Sequence, residues 1–287
     1  MHTLASWPEE RGYELVLPDC QGPLPLVVAI HGYTHDSKAM ERLTSPTGEP
    51  SHPDSLSSLA RREGFALAYP NGTRLGVLPG RGWNAGGGKR GFAPVSNPSV
   101  RRKVDDVSYF RDLLDDIAAR IEVDPRRIYV TGISNGGAMA HRLAMQLKGR
   151  LAAVASVAAA NQFAAAEKRV PKHPIPVLML HGSKDPLWPY AGGRFMVAGQ
   201  MVAVQQTVNE WAACNECGPV VTTQTGSVVR ESRPGPNPVE LYRLEGAGHS
   251  WPGGRQYLSE SYIGVVSRDL NANRVIWDFF REHSRPG

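Results

Sequence analysis

The chain has 287 residues, 41% hydrophobic and 21% charged, an ordinary composition for a soluble globular protein and a length at which a single domain over 1–287 is expected. Its 32 Lys and Arg against 27 Asp and Glu leave a formal charge of +5, spread in short groups such as Arg61-Arg62 and Arg101-Arg102-Lys103 without interleaved aromatics, so a nucleic-acid partner has no support. No run of about 18 apolar residues occurs, and Met1 to Glu10 lacks the basic, apolar and small-residue succession of a secretory leader, so neither a membrane span nor a leader is visible and the compartment stays open.

Tyr13 to Leu17 alternates and then meets Pro18, which predicts an edge strand followed by a turn. Leu26 to Ile30 is a continuous apolar run, as expected of a strand buried on both faces, and ends in His31-Gly32-Tyr33-Thr34-His35-Asp36. Leu43 to Asp54 holds three prolines and a glycine in twelve positions and predicts an enlarged loop. A helix over Leu56–Glu63 and a strand over Phe65–Tyr69 follow, then a second long loop from Pro70 to Pro98 that contains Gly82-Trp83-Asn84-Ala85-Gly86-Gly87-Gly88. Asp105-Asp106 is read as the start of a helix, with carboxylates accepting free backbone N–H groups, and Val107, Phe110, Leu114, Ile117 and Ile121 recur at helical spacing behind it.

Arg127 to Val130 reads as a buried strand, and it runs into Gly132-Ile133-Ser134-Asn135-Gly136-Gly137 before Ala138, Met139, Leu143 and Leu147 resume helical spacing. A serine between two glycines at a strand-to-helix turn is the pattern of a nucleophile elbow. A serine hydroxyl is a poor nucleophile at neutral pH, so a histidine base and an orienting carboxylate are expected downstream, in the order Ser, acid, His. Asp185 is the only aspartate between Ser134 and His249; it follows the strand Val177–Leu180 and the turn His181-Gly182-Ser183-Lys184. His249 lies in the glycine-rich stretch Glu245 to Gly253 after the strand Val239–Leu244, whereas His283 sits in a polar tail. Should Asp185 fail as the acid, Glu216, Glu231 and Glu240 are the reserve. His31 and His35 precede every candidate acid and are read as structural.

Gly132 to Gly137, His181-Gly182-Ser183-Lys184-Asp185-Pro186 with Pro189-Tyr190-Ala191-Gly192-Gly193, Gly248-His249-Ser250-Trp251-Pro252-Gly253 and His31-Gly32-Tyr33-Thr34 together resemble the polyhydroxybutyrate depolymerase and feruloyl esterase group of α/β hydrolases, over about Tyr13 to Phe280. The resemblance implies an α/β-hydrolase fold with a mostly parallel central sheet, helices on both faces and no large lid domain. It implies hydrolysis of carboxylic esters through an acyl-enzyme on Ser134, with His249 as base and Asp185 as its orienting acid. One oxyanion amide is expected from Asn135 and the other from Tyr33, with Thr34 as the alternative; relatives often carry a cysteine at the position of Tyr33. No metal or organic cofactor is implied, and many relatives are exported. The partner expected is a small-molecule or polymeric ester. Trp251, Trp83 and Trp188 lie on loops near these residues and are expected to line the cleft, which suits feruloyl esters first and hydroxyalkanoate polyesters as the alternative, ahead of acetylxylan or a peptide bond.

Cys20, Cys214 and Cys217 cannot all pair, and the absence of a second cysteine pair argues against zinc. A local Cys214–Cys217 disulfide and two plain thiols both fit the spacing. The helix before them is expected over Val202–Ala213, and Val275, Ile276, Trp277, Phe279 and Phe280 are expected to pack on the sheet.

Overall fold

A computed structural model describes residues 1–8, 11–76, 80–86, 97–195 and 199–286. Among them, a nine-stranded sheet runs through β1 (Tyr13–Val16), β2 (Leu24–Ile30), β3 (Ala66–Pro70), β4 (Val123–Ile133), β5 (Ala153–Val157), β6 (Val177–Gly182), β7 (Val221–Thr225), β8 (Val228–Arg233) and β9 (Val239–Leu244), in the spatial order β1-β3-β2-β4-β5-β6-β9-β8-β7. The six strands from β3 to β9 in that order pair in parallel, while β1 at one edge and the β8–β7 hairpin at the other are antiparallel.

Successive side chains of a strand point to opposite faces, so each parallel strand feeds two cores. On one face Leu26, Val28, Ile30, Val130, Val154, Val177 and Met179 pack under the helices Asp106–Arg120, Asn135–Gln146 and Val204–Cys214. On the other, Val27, Ala29, Leu67, Tyr129, Ala153, Ala155, Leu178 and Leu180 pack under Ser37–Leu43, Leu56–Glu63 and Ala272–Arg281. This is why the central strands read as unbroken apolar runs. Trp277 joins the second core, with its ring stacked 4.2 Å from Phe65.

The hairpin of β7 and β8 has no counterpart among the sequence expectations. All five residues of β7, Val-Thr-Thr-Gln-Thr, are exposed, so no face of it carries the alternation that marks a strand. The Pro-rich segment after Leu43 lacks helix and strand up to Leu56 and is tied down by Asn273, whose side-chain amide donates to the carbonyls of Thr44 and Asp54, both at 2.7 Å. Of the second long loop, residues 77–79 and 87–96, including Gly87 and Gly88, lie outside the described residues.

Asp105 caps its helix as expected, accepting the Ser108 N–H at 3.1 Å. Asp106 does something else. Its buried carboxylate receives the Arg11 guanidinium at 2.5 Å and the Asn84 N–H at 2.6 Å, and so anchors the N-terminal segment and the Trp83 loop to the helix. Cys214 and Cys217 are separate thiols, the Cys217 thiol donating to the Asn237 carbonyl at 3.5 Å. No helix of the described residues is long and apolar enough to cross a membrane.

Candidate active site

Ser134 follows β4 and caps the helix Asn135–Gln146 with φ 56° and ψ −122°, a left-sided conformation that a residue with a Cβ holds only when its surroundings enforce it. The enforcement is visible. The Ser134 N–H donates to the Val157 carbonyl at 2.9 Å, and its own carbonyl accepts the Ala138 N–H at 2.9 Å. A Cβ on Gly132 would fall 2.6 Å from the Gly136 carbonyl carbon, so this crossing of strand and helix demands glycine.

Asp185 follows β6 at the carboxyl end of the sheet, where open α/β sheets bind ligands. Its Oδ1 accepts the N–H groups of Leu187 and Trp188 at 2.8 and 2.7 Å, and its Oδ2 accepts His249 Nδ1–H at 2.8 Å. The same Oδ2 lies 3.3 Å from Nε2 of His181, whose hydrogen bond runs to the Trp188 carbonyl at 2.8 Å. Burial pushes the Asp185 pKa up, but the adjacent His249 and His181 and the hydrogen bonds outweigh it, and the carboxyl ends below the ordinary aspartate value. His181 escaped the sequence reading, its only signal being a spacing of four from Asp185.

His249 is fixed by its backbone. Its N–H donates to the Ile263 carbonyl at 2.6 Å, that of Gly248 donates to Val265 at 2.9 Å, and the Tyr257 hydroxyl reaches the His249 carbonyl at 3.1 Å. A Cβ on Gly248 would meet the Gly264 Cα at 2.5 Å, so the two segments touch only because both are glycine there. Residues 256–265 thus form a strap behind His249 that sequence reasoning did not single out. The strap also exposes Leu258, Tyr262 and Val265 to solvent.

In the loop after β2, the Thr34 N–H donates to the Arg81 carbonyl at 2.8 Å. Asn135 clasps the backbone of Trp83: its Oδ1 accepts the Trp83 N–H at 2.7 Å and its Nδ2 donates to the Trp83 carbonyl at 3.1 Å. The Trp83 indole N–H donates to the His31 carbonyl at 3.0 Å. His31 Nδ1–H donates to the Gly32 carbonyl at 2.7 Å and its Nε2 accepts the Gly72 N–H at 3.0 Å; burial pushes its pKa down to about 3, leaving a neutral structural ring.

The structure corrects the assignment of the three tryptophans to the cleft. Trp83 and Trp251 are 0% exposed and Trp188 is 3% exposed. Each indole N–H is already used, on the His31 carbonyl, on Asn273 Oδ1 at 2.9 Å and on the Val202 carbonyl at 3.0 Å respectively. Trp188 and Trp251 are close in sequence to Asp185 and His249, and Trp83 is held by Asn135 beside Ser134, but the large apolar rings turn into the two cores.

A family model described as Phospholipase/Carboxylesterase matches residues 97–209, a span with Ser134 and Asp185 but without His249 or Tyr33. The chain is 29% identical over 276 residues to a putative esterase, NocK, of Nocardia uniformis subsp. tsuyamanensis, covering 89% of this chain and 73% of that one. It is 28% identical over 236 residues to feruloyl esterase B of Piromyces equi, covering 79% of this chain but only 38% of the relative. Among solved structures, an acetyl xylan esterase from Aspergillus awamori superposes with a TM-score of 0.55 at 16% identity, covering 83% of this chain and 88% of that one. Sheet order, family match and relatives together make this an enzyme of the α/β-hydrolase fold, of the carboxylic ester hydrolase class.

Proposed function

We propose that the protein is a serine esterase whose nucleophile is Ser134, whose base is His249 and whose orienting acid is Asp185, acting on feruloyl or related hydroxycinnamoyl esters of the plant cell wall. The observation that carries the catalytic part is the 2.8 Å bond between Asp185 and His249, at the same sheet edge as the strained Ser134. A carboxylate only accepts, so His249 bears its proton on Nδ1 and keeps the Nε2 lone pair for the serine proton. Ser134 Oγ attacks the ester carbonyl, His249 takes that proton and returns it to the departing alcohol, and a water activated the same way releases the acid. The oxyanion is held by the amides of Asn135 and Tyr33; the engagement of the Thr34 N–H with Arg81 favours Tyr33 over its neighbour.

The hydroxycinnamoyl preference draws support from the likeness to feruloyl esterase B. With the tryptophans buried, aromatic contact with the acyl or alcohol part falls to Tyr33, half-buried on the oxyanion loop, and to Tyr262, 59% exposed on the strap behind His249. The test is kcat/KM for methyl ferulate, a 3-hydroxybutyrate oligomer and acetylated xylan, with Ser134→Ala as control. Methyl ferulate is expected to lead and Ser134→Ala to be inactive on all three. A leading polyester would overturn the substrate class, and an active Ser134→Ala the mechanism.

A further inference from the structure

His35 carries a buried Nδ1 that finds no hydrogen-bond partner among the described residues. A buried polar atom without a partner is unfavourable, so this nitrogen is open to a partner from outside the chain. Its position says which. A Cβ placed on Gly32 would sit 3.5 Å from the Ile133 carbonyl oxygen and from the Ser134 Cβ and 3.6 Å from this Nδ1, so the space left by the missing Gly32 side chain is bordered by the end of β4, the serine and the imidazole nitrogen. Gly32 immediately precedes Tyr33, whose amide is the proposed oxyanion donor of this loop.

The ring is held in this position from several directions. It packs edge-on against Tyr257, with centroids 5.2 Å apart and planes at 78°, and Tyr257 in turn bonds the His249 carbonyl. The His35 N–H donates to the Gly32 carbonyl at 3.3 Å, and the His35 carbonyl accepts the Arg81 N–H at 3.1 Å. Burial, followed by the opposing charge of Asp36 and the like charge of His249, leaves the His35 pKa lowered, so the ring is neutral and one of its nitrogens bears a single proton.

We propose that His35 is a further catalytic residue: its Nδ1–H donates a third hydrogen bond, beside the amides of Tyr33 and Asn135, to the oxyanion that forms when Ser134 attacks. This rests on the serine esterase mechanism proposed above. The donor is neutral, so it adds no charge to the site, and it is satisfied only when substrate occupies the gap over Gly32. Such an interaction strengthens as charge develops on the carbonyl oxygen, and therefore acts on kcat more than on KM.

The experiment compares the parent, His35→Phe, which keeps a ring against Tyr257 but has no donor, and His35→Gln, which restores an N–H donor. Hydrolysis of p-nitrophenyl acetate gives kcat and KM, inhibition by a simple alkyl boronic acid, which forms a tetrahedral adduct on serine, reports oxyanion affinity, and Tm reports folding. His35→Phe is expected to lower kcat on the order of 10²-fold with KM within about twofold, and to weaken boronate inhibition by a similar factor. His35→Gln is expected to recover most of both losses. A kcat for His35→Phe within about threefold of the parent, or a His35→Gln variant as slow as His35→Phe at unchanged Tm, would overturn the assignment. Ser134→Ala, run alongside, separates the failures: if it retains activity the serine mechanism falls, and if it is inactive while His35→Phe is not, only the role of His35 falls.

Discussion

The side-chain amide of Asn135 holds the backbone of Trp83 at both its N–H, 2.7 Å away, and its carbonyl, 3.1 Å away. Trp83 therefore links the two sides of the proposed oxyanion hole, since its indole also bonds the His31 carbonyl two residues before Tyr33. Trp83→Ala is expected to cost about 3–5 kcal/mol of stability, as for a buried tryptophan reduced to a cavity, and to lower kcat as well. Urea unfolding and steady-state kinetics check both. A variant that loses activity toward methyl ferulate alone, at unchanged stability, would return Trp83 to the cleft.

Trp251→Phe should lower Tm while leaving the ratio of kcat/KM between methyl ferulate and methyl acetate unchanged, because its ring lies in the core under the helix Ala272–Arg281. Tyr262→Ser should do the reverse, with Tm steady and the ratio reduced. The pair of variants separates packing from recognition in one set of assays.

Ser134→Ala and His249→Ala are each expected to abolish ester hydrolysis with the fold retained, and the double variant to be no slower than either, since nucleophile and base act as a unit. Asp185→Asn should lower kcat by roughly 10⁴-fold by reversing the demand on the His249 tautomer. Full activity in Asp185→Asn would shift the search for the acid to Glu216, Glu231 and Glu240.

His181 lies 3.3 Å from Oδ2 of Asp185 and bonds the carbonyl of Trp188, the residue whose N–H donates to Asp185 Oδ1. These contacts make it a positioning residue for the acid. His181→Phe, which loses the bond to the Trp188 carbonyl and the polar contact with Asp185, is expected to reduce kcat/KM by roughly tenfold, with partial rescue by His181→Gln. A steady kcat/KM in His181→Phe would assign the rigidity of Asp185 to the Leu187 and Trp188 amides alone.

Stability should fall on acidification. Burial holds the pKa of both His31 and His141 down at about 3, against an ordinary 6.5 in the unfolded chain. Between those values the unfolded chain binds protons that the folded rings refuse, so stability is full above about 6.5 and declines as pH falls toward 3. Asp185 acts in the same direction: with a lowered folded pKa, its contribution is present above the ordinary aspartate range and is lost as it protonates. Tm measured from pH 8 to pH 4 should drop, and less steeply in His141→Asn. A flat Tm over that range would contradict neutral buried histidines.

The parts of this protein that local chemistry dictates were legible in the chain. Unbroken apolar runs such as Leu26–Ile30 mark strands covered on both faces, and the glycines around Ser134 mark a crossing where no side chain fits. The position of Ser134, Asp185 and His249 just after strands could likewise be read, because a loop at a strand terminus inherits its place from the sheet. Side-chain direction could not. Trp83, Trp188 and Trp251 carry the same residue type and loop setting as cleft aromatics, and only the space available between sheet and helices turned their rings inward. Asp106 likewise has the sequence signature of a helix start, yet Arg11, nearly a hundred positions away, decides its role. The surroundings of the His35 nitrogen, beside Ser134 and Tyr257, arise from contacts between segments far apart in the chain, and the contacts of His181 and of the strap 256–265, though nearer in sequence, follow no repeat. Such contacts are set by packing of the whole sheet edge, for which no residue pattern of period two or 3.6 exists to be read.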